Sequence, residues 1–111
     1  MMDVVSTRKN VRQSARKLRF VAALLRGMTK PEDMLTRLRF VPKKAAEPIA
    51  KTIQTAIADA EKTFKLKKES LKVRSIVINE GPTLKRWRPV SRGTAHAIRK
   101  RTAHIKVVLE G

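Results

Sequence analysis

The chain has 111 residues, the length of one domain, and sets 27 Lys plus Arg against 9 Asp plus Glu for a formal net charge of +18. The excess runs through the whole chain, so a compact body repels itself unless a polyanion neutralises it, and charge and size together point to nucleic acid. Without cysteine a disulfide framework and thiolate metal sites are excluded, and 41% hydrophobic with 4% aromatic residues allows a modest core of Ile, Leu, Val and Ala.

The start, MMDVVSTRKNVRQ, has no apolar core of signal-peptide length, and no apolar run approaches the roughly 20 residues of a membrane span. The chain therefore reads as cytoplasmic and unprocessed, beginning at Met1 or Met2. Val4 to Arg8 is β-prone and short, which predicts an edge strand. In QSARKLRFVAALLRG, Ser14 is placed to cap a helix whose face is Leu18, Val21, Ala22 and Leu25, with Gly27 as its stop. A second, shorter helix follows in TKPEDMLTRLRFVP. Thr29 and Glu32 have capping-box spacing, Pro31 suits the first turn, Met34, Leu35 and Leu38 form the stripe, and Pro42 ends it.

The third helix is the clearest. In KKAAEPIAKTIQTAIADAEKTF, apolar residues recur at Ala46, Ile49, Ala50, Ile53, Ile57, Ala60 and Phe64, which is one buried face. Pro48 belongs in its first turns, and the alanines allow a close neighbour, so this helix is expected at the centre of a monomer core with no homo-oligomer. The period then changes. LKVRSIVIN predicts a strand with Leu71, Val73, Ser75 and Val77 on one face and Lys72, Arg74, Ile76 and Ile78 on the other. HIKVVLEG is another strand, with Ile105, Val107 and Leu109 alternating. Paired antiparallel under the helices, these strands make an α+β domain.

Glu80 to Ala103 is too long for a hairpin loop of about 2–5 residues. It has Lys85, Arg86, Arg88, Arg92, Arg99, Lys100 and Arg101, no acid after Glu80, and too few apolar residues for a subdomain. Extending both strands gives a two-stranded ribbon that turns near Val90-Ser91-Arg92-Gly93 and reaches on the order of 40 Å. The expected division is a body of residues 1–80 and 104–111 and a basic hairpin of residues 81–103.

GPTLKRWRP at Gly81–Pro89, followed by KRTAHI at Lys100–Ile105, resembles large-subunit ribosomal protein twenty-two of the bacterial type. SARKLRFVAALLRG at Ser14–Gly27 and KKAAEPIAKTIQTAIADAE at Lys43–Glu61 are similar to that family's first and long helices. The resemblance implies three helices packed on a three-stranded antiparallel sheet, with a long extended β-hairpin arm. It implies a body on the outside of the large ribosomal subunit and a hairpin threaded through rRNA. The tip would line the nascent-peptide exit tunnel beside ribosomal protein four and meet the growing chain. The short C-terminus at Gly111 also resembles bacterial members. Val90 and Thr94 stand where the family usually has arginines, Asp59 where it usually has Asn, and Ser14 where it usually has Pro.

On this reading Lys85, Arg86, Arg88, Arg92, Arg99, Lys100 and Arg101 are candidate rRNA contacts. Trp87 either stacks on a base or an arginine plane or packs across the ribbon near Ala95 or Ala97. Pro89 limits pairing at the tip. His104 is expected to bond phosphate or backbone. Arg12, Arg16, Lys17, Arg19 and Arg26 are candidates on the body, and Val90, Ser91, Arg92 and Gly93 face the tunnel. Lys62, Lys65, Lys67 and Lys68 read as a solvated helix end. His96 and His104 have no flanking carboxylate, so neither catalysis nor a metal or other cofactor finds support. A histone-like architectural DNA-binding protein with a basic β-arm is the alternative, though that class places its arm differently and needs a tight dimer. A membrane-active cationic peptide is disfavoured because the first helix interleaves cations with apolar residues.

Overall fold

The computed structural model describes residues 3–82, 84–89 and 95–111, with 84–89 and 95–100 described as backbone. The elements run β1 (Asp3–Val11), α1 (Ala15–Ala23), α2 (Pro31–Arg39), α3 (Ala46–Lys62), a 3-10 turn (Lys68–Ser70), β2 (Lys72–Glu80), β3 (Leu84–Pro89), β4 (Ala95–Lys100) and β5 (Ala103–Glu110). The first sheet has the order β1-β5-β2, with β5 antiparallel to both neighbours, and β3 and β4 form a second, two-stranded sheet. α3 lies over β1 and β5, and α1 over β2. The fold is thus three helices on a three-stranded antiparallel sheet with an extended hairpin arm.

β5 is the last strand in the chain and the middle one in space, and its alternation is complete. Ile105, Val107 and Leu109 are fully buried under the helices and meet Val4 of β1 and Ile78 of β2. Burying each such side chain contributes about 1.5–3 kcal/mol, enough to hold a sheet that could not stand alone. β1 is the edge strand its sequence predicts, though longer.

The strand LKVRSIVIN departs from its expected alternation. Val73 pairs with Leu109 and Ser75 with Val108, so Arg74 is an extra residue in a β-bulge. The bulge shifts the period by one. Val73 faces the core before it, Ile76 and Ile78 after it, and Val77 is left 40% exposed opposite Lys106. Arg74 reaches across the sheet to Asp3, with Nη1 2.6 Å from Oδ2.

In α1 the Ser14 hydroxyl accepts from the Lys17 amide at 3.3 Å, as its position predicts. The regular helix ends at Ala23 and tightens into i→i+3 bonds, Leu24 to Val21 and Leu25 to Ala22, before Gly27 turns the chain at φ +86°. The expected capping box of α2 is not made. Lys30 is the N-cap without a side-chain bond, and Pro31 opens the helix. The Thr29 carbonyl instead accepts from the Val73 amide at 2.7 Å, and Glu32 pairs with Lys68 at 2.8 Å. With Lys30 as the N-cap, Thr29 stands one residue too early to cap the helix, and Lys68 holds the Glu32 carboxylate. α3 buries Ala46, Ile49, Ile53, Ile57 and Ala60 as predicted, and the buried Thr52 hydroxyl donates to the Pro48 carbonyl at 2.8 Å. Phe64, expected on that face, lies past the helix end and is exposed.

Candidate nucleic-acid interface

The ribbon of β3 and β4 carries five cations and no acid. Its register pairs Leu84 with Lys100, Lys85 with Arg99, Arg86 with Ile98, Trp87 with Ala97, Arg88 with His96 and Pro89 with Ala95. Strand positions alternate between two faces, so the basic positions are divided, with 85 and 99 on one face and 86, 88 and 100 on the other. A ribbon basic on both faces and without a layer of its own suits an anionic surrounding rather than a single flat surface. Trp87 lies opposite Ala97 in the backbone register. The turn at Val90, Ser91, Arg92 and Gly93, and Thr94 beside it, lie outside the described residues.

The ribbon does not simply continue β2 and β5. Between the two sheets the chain passes through Gly81 and Pro82 on one side and Arg101 and Thr102 on the other. Pro82 has no amide to give a ladder. The Gly81 amide donates to the Thr102 carbonyl at 2.9 Å, and the buried Thr102 hydroxyl donates to the Pro82 carbonyl. A Cβ on Gly81 would stand 2.6 Å from the Thr102 hydroxyl oxygen and 3.1 Å from Cε1 of His104, so only glycine fits. Thr102 and Ala103, counted with the arm in the sequence, are buried against the body at its root.

His104 closes this joint. Its Nδ1 accepts the Asn10 amide at 3.1 Å, where β1 bulges and Asn10 takes φ +58°. An amide can only donate, so the ring's proton sits on Nε2. Backbone was one of the two partners expected for His104. The sequence offered no signal for Asn10 in that role.

The body cations are exposed. Arg16, Lys17 and Arg19 lie on α1 opposite its buried Ala15, Leu18 and Val21, and Arg26 lies in the turn that follows. Arg19 also has a structural partner, with Nη2 at 2.8 Å and Nε at 3.2 Å from the Ile78 carbonyl, which ties α1 to β2. Val11 pairs with Ala103, so Arg12 leaves β1 at the end of the sheet where Arg101 enters. Arg12, Arg19 and Arg101, far apart in the chain, are thereby brought toward the root of the arm.

Among the described residues no group of three or more His, Cys, Asp or Glu side chains could hold a metal, and no helix is long and apolar enough to cross a membrane. Two exposed acids are tied to lysines. The hydrogen bond and charge of Lys51 hold the Glu47 carboxyl below its ordinary 4.5, and those of Glu32 hold Lys68 above its ordinary 10.5.

A family model described as Ribosomal protein L22p/L17e matches residues 6–110. Large ribosomal subunit protein uL22 of Pediococcus pentosaceus is 44% identical over 104 residues, which cover 94% of this chain and 87% of that protein.

Proposed function

Because this chain belongs to the Ribosomal protein L22p/L17e family, we propose that it is a structural constituent of the large ribosomal subunit whose arm penetrates rRNA. The family's role is structural and rRNA-binding, not enzymatic. The observation that carries the proposal is the basic ribbon, paired in a sheet of its own and projecting from a folded body to give a molecule 62 Å long and 17 Å thin. In this reading Lys85, Arg86, Arg88, Arg92, Arg99, Lys100 and Arg101 neutralise phosphates along the arm while Trp87 stacks, and Arg12, Arg16, Lys17, Arg19 and Arg26 anchor the body. The tip lines the exit tunnel beside ribosomal protein four and meets the nascent peptide, in the cytoplasm. Val90 and Thr94 leave that tip less basic than is usual in the family.

Sedimentation of a lysate containing the tagged chain tests this. Co-migration with the large subunit is expected, and co-migration with the nucleoid would favour the DNA-binding alternative. Cross-links from the tip to nascent chains on stalled ribosomes test the tunnel assignment. Their absence, with the body still bound, would place the arm elsewhere.

A further inference from the structure

All three phenylalanines of this chain lie outside its core. Phe20 on α1 is 55% exposed, Phe40 just after α2 81%, and Phe64 beyond α3 40%. The buried cluster is built from Val, Leu, Ile, Ala and Met. Aromatic rings carry the largest apolar surface a chain can bury, so their exclusion from a small core calls for something outside to cover them.

Phe20 shares a surface with Lys43, and Phe40 stands exposed three residues before Lys43 in the chain. The Lys43 ammonium stands 4.0 Å from the centroid of the Phe20 ring. Lys43 also rims a groove of about 250 Å³ formed where α2 ends and α3 begins, three residues along the chain from Phe40. Leu35, Val41 and Ala50 give the groove apolar walls, and Arg39 and Gln54 add a cation and an amide. Glu47 lines it too, but its carboxylate is paired with Lys51 at 2.8 Å, so the cations set the sign of the surface.

The occupant must cover aromatic surface and satisfy cations together. A second copy of the chain would bring another +18 against this face. An apolar peptide would fill the groove and leave Arg39 and Lys43 desolvated without a partner. An unpaired nucleotide meets both demands, since its base has a flat apolar face and its phosphate is an anion. We infer that Phe20, Phe40, Lys43 and Arg39 form a stacking site for unpaired nucleotides of single-stranded RNA, on the body and separate from the basic arm. This rests on the RNA-binding reading above and adds to it that the body selects exposed bases rather than duplex backbone.

The test uses the full chain, a fluorescein-labelled single-stranded oligo(A) and an RNA duplex of equal length, each titrated over a range of salt. In the natural chain and in a Trp87→Ala background, the double variant Phe20→Ala, Phe40→Ala should lose about tenfold in affinity for oligo(A). Its duplex affinity and salt dependence should not change, because no charge is removed. Phe40→Leu should behave like Phe40→Ala, and Phe40→Trp should bind at least as well as the natural chain. Both rings are exposed, so thermal unfolding should be unaltered. Unchanged oligo(A) affinity in the double variant would overturn the site. Natural binding by Phe40→Leu would overturn stacking in favour of a merely apolar contact. Unchanged oligo(A) affinity combined with loss from large subunits would put a protein on this surface instead. A natural chain that binds neither RNA would defeat the RNA-binding reading itself, a result distinct from all of these.

Discussion

The Asn10 amide and the Nδ1 atom of His104 lie 3.1 Å apart, joining a bulge in the first strand to the strand that leads out of the arm. With Gly81 packed against the same ring and Thr102 bonded to Pro82, this contact makes the root of the arm a built joint. His104→Ala should therefore lower stability by about 0.5–1.5 kcal/mol, the worth of one net hydrogen bond. For a chain of this size that is a fall in Tm of several degrees. His104→Asn, which can still offer an acceptor, should recover part of it. Equal melting of all three proteins would mean the bond contributes nothing.

Gly81→Ala should be worse than an ordinary surface change, by about 1–3 kcal/mol, because its Cβ meets the Thr102 hydroxyl at 2.6 Å. Removing that oxygen with Thr102→Ala relieves the clash while losing the bond to Pro82. The double variant should then be more stable than the sum of the two singles allows, as measured by denaturant unfolding. Additive losses would show that the two residues do not press on each other.

The bulge at Arg74 makes neighbouring positions unequal. Ile78 is 6% exposed and Val77 40%. Ile78→Ala should cost about 2–4 kcal/mol, and Val77→Thr should change stability by no more than about 0.5 kcal/mol. The reverse order would restore the unbroken alternation expected from the sequence and remove the bulge.

The two lysine–carboxylate pairs fix the direction of their pH dependence. Glu47 has a lowered folded value, so its contribution is present above about 4.5 and is lost as pH falls through the lower folded value. Lys68 has a raised value, so its contribution is present below about 10.5 and is lost as pH rises through the higher one. Thermal melts of Glu47→Gln and the natural chain should thus converge on acidification, and those of Lys68→Met on strong alkalinisation. Both pairs are exposed, so the differences near neutrality should be small.

Deleting residues 86–94 should leave a body that unfolds cooperatively, because among the described residues β3 and β4 pair with each other and not with the sheet of the body. The deletion removes Arg86, Arg88 and Arg92. The salt dependence of rRNA binding should become shallower by about 0.7–0.9 in logarithmic slope for each phosphate that the shortened arm no longer neutralises. Disappearance of the cooperative transition in calorimetry would make the arm part of the core.

How much was legible follows from the range of the forces involved. Ser14 as a cap, the buried faces of the first and third helices and the alternation in HIKVVLEG are local patterns, repeated every two or every three to four residues, and each is present in the structure. The surplus of positive charge, the basic segment between the last strands and the shared motifs were equally open to reading, and they carried the family. What needed the tertiary structure are the places where a distant partner displaces a local one. Thr29 and Glu32 have the spacing of a capping box, yet the helix starts with Lys30 as its N-cap and Lys68 takes the Glu32 carboxylate. The alternation of the 71–79 strand breaks because register with the central strand admits Arg74 as an extra residue. The joint at Asn10, Gly81, Thr102 and His104 joins residues up to 94 positions apart. A single sequence encodes such pairings only through the fold. Periodic burial writes itself into sequence at short range, whereas hydrogen bonds between separated strands are chosen only once the sheet has brought them within about 3 Å of each other.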